Sequence, residues 1–387
     1  DGGARYLTLG YDGQGRIVSV TDQTERSVTF DYDGNGDLVT MTDVTGAEWN
    51  YEYDTAHHLT AVLDPLENAL EQTEYDSQGR AVQQRDGNNN ITGTLVYNTD
   101  GTTTITDSLG NVETHTYDDR LTLVADEGAA GGVTEKTYDN NFRPLTITDA
   151  DGDTTTLAWS EDGTQLTQVV DAEGGQTDIT YDALNNPTSV IDPLGYLTTY
   201  AYDGTLLTST TNALDQETVY TYTTEGYLET VTDPLGNTTS YTYDSFGQRT
   251  SMTDALGNTW TYTYDSLGRL VDSTDPLDRV SHNEYDEAGR LLRTTRNYNT
   301  NKSQNEDNLW NIITEYEYDL SGKQVLVRDS LGRETHYEYD AAGQLTKTID
   351  PDGNESINAY NSAGQLTQST DALGHTTTYS YDEAGRL

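Results

Sequence analysis

A repeat of about 21 residues runs through this sequence from one end to the other. Residues 233–265 contain it twice, in the form D-x-L-G-N-x-x-x-Y-x-Y-D-x-x-G-x-L-x-x-x-T-D. A Tyr-Asp pair closes each copy, and the steps between pairs are 20 to 22 residues, apart from one step of 33 between Tyr285 and Tyr318. A short fixed period of this kind is typical of repeat proteins, in which each unit packs mainly on its neighbours.

The Tyr-Asp pair is intact in 14 copies and altered in four, which gives about 18 copies over residues 1–387. The intact pairs begin at Tyr11, Tyr32, Tyr53, Tyr75, Tyr117, Tyr138, Tyr181, Tyr202, Tyr243, Tyr264, Tyr285, Tyr318, Tyr339 and Tyr381, and the altered pairs begin at Tyr97, Trp159, Tyr222 and Tyr360. Because no linker-like stretch separates them, we predict a single continuous array over residues 1–387. The long step indicates a polar loop insertion within 297–308, and residues 64–76 are interpreted as an elongated hairpin loop.

Each copy alternates two β-rich runs with two turn-forming clusters. Runs such as TWTYTYD and LVDSTD hold residues that favour strands. Clusters such as DSLGR and DALGN combine Asp, which accepts hydrogen bonds from nearby backbone amides, with Gly, which supplies a positive φ. The sequence therefore predicts an all-β fold of tandem β-hairpins that form one continuous antiparallel strip.

The Tyr-x-Tyr spacing places two rings on the same face of a strand, as at Tyr262 and Tyr264. We expect these rings to line up and pack across neighbouring strands. The chain has 29 Tyr and only 3 Phe. This preference favours a half-wet face, where a phenol packs its ring and offers its hydroxyl to water.

Composition limits the core and the partners. Only 33% of residues are hydrophobic and the mean hydropathy is −0.75, so we expect many small interfaces between repeats instead of one large core. The formal net charge of −46 argues against nucleic acid and anionic membrane surfaces as partners. The sequence has no Cys and no apolar run long enough to span a membrane, so it predicts neither a disulfide framework nor membrane insertion in this segment. The acidic balance favours an extracellular or cell-surface location.

The motif resembles the Rhs/YD-repeat family, which includes bacterial Rhs proteins, the shells of insecticidal Tc toxin complexes and animal teneurins. The family string Y-D-x-x-G-R-L-x-x-x-x-D-x-x-G is matched most closely at residues 264–278, 285–297 and 381–387, and more loosely at 11–25 and 339–353. The resemblance implies a spiralling strip that forms a hollow shell around a toxic or unfolded polypeptide. No counterpart of the family's self-cleaving core segment or of a toxin domain occurs before Leu387, and both ends of the sequence fall within a copy. We therefore expect a wall segment of a longer protein.

The size of the strip follows from its strand count. Two strands per copy at roughly 4.8 Å each give a strip on the order of 170 Å long, which bent into a single ring would have a diameter of roughly 50–60 Å. That amounts to about one turn of a spiral, and a stiff wound fibre fits the same numbers.

No catalytic, cofactor-binding or metal-binding residue is predicted. The recurring aspartates, such as Asp244, Asp254 and Asp265, occupy turn positions in copy after copy, whereas a catalytic residue has no reason to recur. The six histidines are scattered, and the pair His57-His58 is interpreted as part of a loop. We therefore expect the chain to bind no cofactor.

Calcium is kept as the alternative at two acidic stretches. Residues 31–36 have the D-x-D-x-N-G opening of a calcium loop, but Thr42 stands where such a loop needs its bidentate Glu. Residues 149–153 are similar but lack the following Gly. We interpret both as ordinary turns of the repeat.

The sequence predicts a structural, non-enzymatic scaffold that forms part of an Rhs-type hollow shell or extracellular assembly, which encloses or displays a polypeptide cargo. Its partners would be the rest of its own longer chain or that cargo, with self-association left open. The alternative is an extracellular fibre or adhesin that binds carbohydrate or another cell surface through faces lined by Tyr. Rings that occupy the same place in every copy favour packing over sugar binding.

Overall fold

The computed structural model describes residues 5–304, 309–382 and 385–387, and 35 β-strands form within these ranges. The first eighteen strands are β1 (Leu7–Tyr11), β2 (Ile17–Asp22), β3 (Ser27–Tyr32), β4 (Leu38–Thr42), β5 (Glu48–Tyr53), β6 (Leu59–Leu63), β7 (Ala69–Tyr75), β8 (Ala81–Asp86), β9 (Ile91–Tyr97), β10 (Thr103–Asp107), β11 (Val112–Tyr117), β12 (Leu123–Glu127), β13 (Val133–Tyr138), β14 (Pro144–Thr148), β15 (Thr154–Trp159), β16 (Leu166–Val170), β17 (Gln176–Tyr181) and β18 (Pro187–Ile191). The remaining strands are β19 (Leu197–Asp203), β20 (Leu206–Thr211), β21 (Glu217–Tyr222), β22 (Leu228–Thr232), β23 (Thr238–Tyr243), β24 (Arg249–Thr253), β25 (Thr259–Tyr264), β26 (Leu270–Thr274), β27 (Val280–Tyr285), β28 (Leu291–Arg296), β29 (Ile312–Tyr318), β30 (Gln324–Asp329), β31 (Glu334–Tyr339), β32 (Leu345–Ile349), β33 (Glu355–Tyr360), β34 (Leu366–Thr370) and β35 (Thr376–Thr378).

Each strand pairs antiparallel with the strand before it and the strand after it, so the described chain is one 35-stranded sheet. The all-β prediction of tandem hairpins is confirmed, and no helix occurs in the described ranges. The closing Tyr or Trp of each copy ends an odd-numbered strand, apart from Tyr202, which is the last residue but one of β19, and Tyr381, which follows β35.

Two kinds of turn lie at opposite edges of the strip. The turns that follow an odd-numbered strand, such as 265–269, begin at the Asp of the Tyr-Asp pair and are called YD turns here. The turns that follow an even-numbered strand, such as 254–258, are called TD turns. Because successive strands run in opposite directions, all YD turns lie along one edge, the YD edge, and all TD turns lie along the TD edge.

Both kinds of turn have the same backbone geometry. In the YD turn at 265–269, the Asp265 amide donates to the Arg269 carbonyl at 3.0 Å and the Gly268 amide donates to the Asp265 carbonyl at 3.0 Å. Gly268 has a φ of 88°. This is a three-residue hairpin loop, in which the third loop residue must adopt a left-handed conformation. The Asp and Gly of each cluster are therefore present for local chain reversal.

Each hairpin that carries a YD turn contains a β-bulge next to that turn, except β9–β10. In β25–β26, Thr263 lies opposite Asp272 and Tyr264 lies opposite Leu270, so Val271 is an extra residue on the even strand. A bulge bends its strand and increases the local right-handed twist. In these hairpins the bulge lies on the even strand each time, so its repetition curls the strip in one direction.

The curled strip returns to itself. The TD turn between β6 and β7 reaches the YD turn between β29 and β30, where the Asp64 carboxylate lies 3.9 Å from the Lys323 amine. Further along, the Asn88 amide donates to the Asp340 carboxylate at 2.9 Å. A methyl group at Gly87 would collide with the carbonyl oxygen of Ala341, so the two edges are in close contact there.

The same offset recurs at four turns along this line of contact, which we call the seam. The turn between β2 and β3 meets that between β25 and β26, β6/β7 meets β29/β30, β8/β9 meets β31/β32 and β10/β11 meets β33/β34. One turn of the spiral therefore takes 23 strands, and the TD edge of one turn rests on the YD edge of the next. At roughly 4.8 Å per strand the circumference is about 110 Å and the diameter about 35 Å. The spiral is tighter than the 50–60 Å ring expected, because the recurring bulges wind 35 strands into about one and a half turns.

The strip is a single layer without a large core. Among the described residues only Ala47, Ala61 and Leu326 are buried apolar residues. The accessible surface of 22875 Å² exceeds the roughly 15,000 Å² expected of a compact monomer of this mass. Stability therefore comes from the strand ladder and from contacts between neighbouring hairpins.

Two local interpretations have different outcomes. The prediction of an elongated loop at 64–76 is wrong. Residues 64–68 form an ordinary TD turn, and the extra residue of this copy lies in a bulge where β6 pairs with β7. The polar insertion falls between β28 and β29, and its described residues 297–304 lie outside strands, with 300–304 exposed and 297–299 half-buried. Residues 305–308 of the predicted insertion lie outside the described residues.

Candidate functional site: the tyrosine lock between hairpins

The closing Tyr of a copy is bonded to the preceding hairpin. The Tyr264 hydroxyl donates to the backbone carbonyl of Arg249, the first residue of β24, at 2.8 Å. The same bond is made by 13 closing residues at 2.8 to 3.0 Å, with the Trp159 indole N–H taking the place of the hydroxyl in one copy. We call this contact the tyrosine lock. It bonds consecutive hairpins through a side chain as well as through the strand ladder.

The lock uses the phenol in its neutral form. Burial raises the pKa of Tyr264 and of Tyr339, so both hydroxyls keep their proton at neutral pH. The expectation that the hydroxyls face water is wrong for the locked tyrosines, because the carbonyl at the start of the neighbouring even strand lies within reach of the ring.

A residue of the preceding YD turn covers the locked ring. The Arg269 guanidinium lies 4.9 Å from the centre of the Tyr285 ring, and Arg80 lies 4.0 Å from the Tyr97 ring. His58 stacks on Tyr75 at 4.8 Å in the same position. Row-by-row packing of Tyr on Tyr was expected, but the described contact is mostly a cation over a ring, which is favourable electrostatically and keeps the ring face covered.

The same arginine makes two further bonds. In the copy at 264–285, the Arg269 Nε donates to the Asp265 carboxylate at 2.6 Å and a terminal nitrogen donates to the Asp286 carbonyl at 2.8 Å. One guanidinium therefore joins its own turn, the next ring and the next turn. The planar fork of donors suits Arg to this arrangement better than Lys.

The turn aspartates are acceptors for backbone amides. One carboxylate oxygen of Asp254 accepts from the amides of Leu256 and Asn258, both at 2.9 Å, and the other accepts from the Asn258 side chain at 2.8 Å. The side-chain bond from Asn258 holds the pKa of Asp254 below its usual value. At Asp22, burial works in the opposite direction, but bonds from Thr24 and Arg26 outweigh it and lower the pKa to about 2. These carboxylates are fixed as anions and are poor proton donors or acceptors near neutral pH.

The stretches that resemble calcium loops have the same turn geometry. One carboxylate oxygen of Asp33 accepts from the amides of Asn35, Gly36 and Asp37 at 2.8 to 3.0 Å. Asp149 accepts from the amides of Asp151 and Asp153 at 3.0 Å. The backbone therefore already uses these carboxylates as it uses those of the other copies. His57 and His58 contact Asp37 and Asp54 respectively, each at 2.8 Å, and His58 belongs to a lock.

Three side chains that could offer ligand atoms to a metal meet at one place among the described residues. Glu113 and His115 lie on β11 and Asp126 lies opposite His115 on β12, with one ligand atom from each within 4.8 Å of the others. His115 Nε2 bonds to Glu113, and the other ring nitrogen lies 3.3 Å from the Tyr117 hydroxyl. Burial and the nearby Glu113 carboxylate raise the pKa of Asp126. Sequence reasoning did not single out this group, because its members are brought together by strand pairing.

Comparison with models of protein families identifies the family of the repeat. The model of the RHS repeat family matches residues 11–48, 32–69, 159–196, 181–205, 225–259, 243–280, 264–300, 314–355 and 360–387, which together exceed half of the chain. The chain belongs to the RHS repeat family. The resemblance drawn from the YD motif is confirmed. In a comparison of sequences with curated proteins, no protein matches.

Solved structures show the same fold. The RHS repeat chain is similar to the crystal structure of TcdB2-TccC3-Cdc42, with a TM-score of 0.57 and 16% identity over 98% of this chain. It is also similar to TcdB2-TccC3-TEV, with a TM-score of 0.53 and 15% identity over 99% of this chain. It is similar as well to TcdB2-TccC3 without its hypervariable C-terminal region, with a TM-score of 0.50 and 14% identity over 99% of this chain. The RHS repeat chain spans 25%, 26% and 30% of those three chains respectively.

The tyrosine lock is what sequence reasoning missed. The signal was available in the Gly-Arg pairs that precede a closing Tyr by 16 to 17 residues, as at Arg16, Arg80 and Arg269. That spacing does not by itself reveal that the guanidinium covers the ring of the next hairpin. The described ranges also contain no helix that is long and apolar enough to span a lipid bilayer.

Proposed function

We propose that this RHS repeat chain is a non-enzymatic wall segment of an Rhs-type hollow shell that encloses a polypeptide cargo. The seam is the observation that carries the proposal. A strip whose successive turns bond edge to edge, as at Asp64–Lys323 and Asn88–Asp340, makes a continuous wall. A fibre of stacked hairpins would not need its two edges to meet every 23 strands.

The dimensions favour an unfolded or helical cargo. With a diameter of about 35 Å between opposite backbones, and side chains that take up roughly 5 Å on each inner face, a lumen of about 25 Å remains. That width admits an extended chain or a few helices, each 10–12 Å across, but not an average globular domain. Polypeptide held in such a space is separated from proteases outside.

Recurrence supports a structural function over an enzymatic one. The carboxylates, rings and guanidinium groups of the lock occur in copy after copy and bond to one another. A reaction needs one set of groups with matched pKa values in one cleft. The strongly acidic surface and the resemblance support an extracellular or cell-surface location, which antibody labelling of intact cells would test.

Protease protection tests the enclosure. In a protein that joins this segment to a polypeptide cargo, we expect the cargo to be cut slowly. Lys323→Glu places a second anion beside the fully buried side chain of Asp64 and should open the seam and speed up cleavage. Lys347→Glu removes a cation from a strand face, where Lys347 bonds to Glu355, and serves as the control. Imaging of Lys323→Glu would show whether its seam is open. If the seam is open and the cargo is still cut as slowly as in the wild type, the result would count against a protective wall.

The alternative function is an adhesin that binds carbohydrate through Tyr-lined faces. The locked rings are poorly suited to it, since Arg80 and Arg269 cover ring faces and the hydroxyls are bonded. The first Tyr of a Tyr-x-Tyr pair is the better candidate where no guanidinium covers its ring, as at Tyr220, whereas Arg249 lies 5.0 Å from the centre of the Tyr262 ring. Retention of glycans by the wild type and their loss in Tyr220→Ala would support the adhesin instead of the shell.

A further inference from the structure

Glu113, His115 and Asp126 form the one group of three side chains in the described ranges whose ligand atoms could share a metal ion. Glu113 and His115 are two residues apart on β11, so they project from the same face of the strip. Asp126 on β12 lies directly opposite His115. Strand pairing therefore holds two carboxylates and an imidazole side by side, with one ligand atom from each within 4.8 Å of the others.

This group departs from the pattern of the repeat. At the same register in two other copies, Tyr51 lies opposite Val62 and Tyr220 lies opposite Val231. The copy that ends at Tyr117 has His opposite Asp at this place. The packing of the hairpins therefore does not require these polar side chains, and they are candidates for a function that the other copies lack.

Asp126 differs from the turn aspartates in what it bonds to. The TD turn after β12 spans 128–132 and begins at Gly128, whose amide donates to the Gly132 carbonyl at 2.9 Å, so this turn does not use Asp126. In contrast, the Asp33 carboxylate accepts from three amides of its own turn. The Asp126 side chain is 41% exposed, but its Oδ1 atom is buried and accepts no hydrogen bond, and it is the one such side-chain atom in the described part of the chain. This oxygen is available to a ligand.

A proton alone does not satisfy the three groups. His115 Nε2 bonds to Glu113, and the same nitrogen lies 3.8 Å from Asp126 Oδ1, which is too far for a hydrogen bond. Two carboxylates held this close repel each other unless a cation lies between them. Lys136 attracts Asp126 through space, but no bond between the two is described. A metal ion with bonds of roughly 2.0–2.2 Å to nitrogen and oxygen can bind all three groups at once.

The second nitrogen of His115 has a partner that suits a metal ligand. His115 Nδ1 lies 3.3 Å from the Tyr117 hydroxyl. When Nε2 binds an ion, Nδ1 carries the proton and donates to that hydroxyl oxygen, which fixes the orientation of the ring. No lock bond is described for Tyr117, so its hydroxyl is available for this contact.

We propose that Glu113, His115 and Asp126 bind one divalent transition-metal ion, with Zn²⁺ as the best match, and that the ion joins β11 to β12. An imidazole with two carboxylates suits Zn²⁺ better than Ca²⁺ or Mg²⁺, which prefer oxygen ligands throughout. Three protein ligands leave at least one coordination position to water. Binding displaces the Nε2 proton and places a positive charge between the two carboxylates. The site is built within one hairpin and does not depend on the enclosure of cargo.

Zinc binding by the chelator-treated 387-residue chain in excess Mg²⁺ tests the proposal. Mg²⁺ occupies the diffuse acidic surface, so a specific Zn²⁺ site shows in calorimetry as a saturable step of one ion per chain. Zn²⁺ should also shift the NMR signal of one of the six histidines and raise the thermal unfolding midpoint. Asp126→Asn and His115→Ala should remove the saturable step, and Tyr117→Phe should weaken binding by about tenfold or more.

The chain offers a matched control on another strand. Residues 334–336 repeat the Glu-Thr-His tripeptide of residues 113–115, and His336 Nε2 bonds to Glu334 at 3.1 Å. His336 lies opposite Leu326 and Ile349, so no carboxylate faces it directly across the strands. His336→Ala should therefore bind Zn²⁺ as the wild type does.

Asp126→Asn also distinguishes a metal site from a purely structural contact. The substitution removes the repulsion between two carboxylates, so without Zn²⁺ the variant should be at least as stable as the wild type. Circular dichroism verifies that each variant retains its strands. A wild type without a saturable Zn²⁺ step, a step that persists in folded Asp126→Asn or His115→Ala, or a step that is lost in folded His336→Ala would each overturn the proposal.

Discussion

The Tyr264 hydroxyl donates to the carbonyl oxygen of Arg249 at 2.8 Å, across the boundary between one hairpin and the next. The two residues are 15 positions apart, and the bond recurs with nearly the same length along the strip. A sheet one layer thick has no core to hold its units at a fixed angle. The lock supplies a second attachment between hairpins, so it is expected to set how stiff the strip is.

Tyr264→Phe should destabilise the chain by about 0.5–1.5 kcal/mol, because the Arg249 carbonyl loses its side-chain donor while the ring stays in place. Tyr262→Phe is the matched control, since Tyr262 lies on the same face of the same strand and no bond from its hydroxyl is described. Urea unfolding measures the change, and amide exchange around β24 and β25 localises it. Equal effects of the two substitutions would show that the lock adds nothing beyond ring packing.

Arg269→Lys should destabilise the chain by about 1 kcal/mol, because one amine cannot bond to Asp265 and the Asp286 carbonyl while also covering the Tyr285 ring. Arg279→Lys is the control in a TD turn. Arg279 bonds to Asp275 at 2.6 Å with a 61% exposed side chain and covers no ring among the described contacts. Its replacement should change the urea midpoint little, so a difference between the two variants isolates the contact to the next hairpin.

The hairpins and turns could be predicted because they are local. Asp265, Gly268 and the alternation around Tyr262 and Tyr264 each act within about ten residues, and the structure places them as expected. The lock and the spiral could not be predicted in the same way. The lock depends on the direction of a ring relative to a carbonyl on another hairpin, and the tightness of the spiral depends on a bulge at residues such as Val271 that have no distinctive sequence.

Leu121→Gly should stabilise the chain by up to about 1 kcal/mol. Leu121 occupies the position where most turns have Gly, with a φ of 63° and a side chain that is 83% exposed. Its left-handed backbone conformation is therefore strained, and its exposed side chain contributes little packing to offset that strain. Gly257→Ala is the reverse test, because Gly257 has a φ of 83° and nothing lies within 4 Å of an added Cβ. It should cost a similar amount from backbone strain alone. Thermal unfolding of both variants checks the signs, and a destabilised Leu121→Gly would show that the exposed leucine has an unrecognised contact.

Acid should unfold the strip over a low and narrow pH range. In the folded chain the pKa of Asp22 is lowered from 3.8 to about 2, because bonds from Thr24 and Arg26 outweigh burial, and the Asn237 and Asn258 side chains lower the pKa of Asp233 and Asp254. A group with a depressed folded pKa stabilises the fold above its unfolded pKa, and that stabilisation is lost as the pH falls through the folded pKa. Stability should therefore hold above about pH 5 and decline between about pH 4 and pH 2.

Protonation also reduces the net charge of −46, which works in the opposite direction by relieving repulsion. Circular dichroism at a series of pH values, repeated in about 1 M salt to screen that repulsion, separates the two effects. In high salt only the loss of the turn bonds should remain, and the decline should become steeper. Asp22→Asn keeps an acceptor for the amides of Thr24 and Arg26 but cannot titrate, so its stability should depend less on pH than that of the wild type. Unchanged stability down to pH 2 in high salt would show that the turn carboxylates do not stabilise the fold as anions.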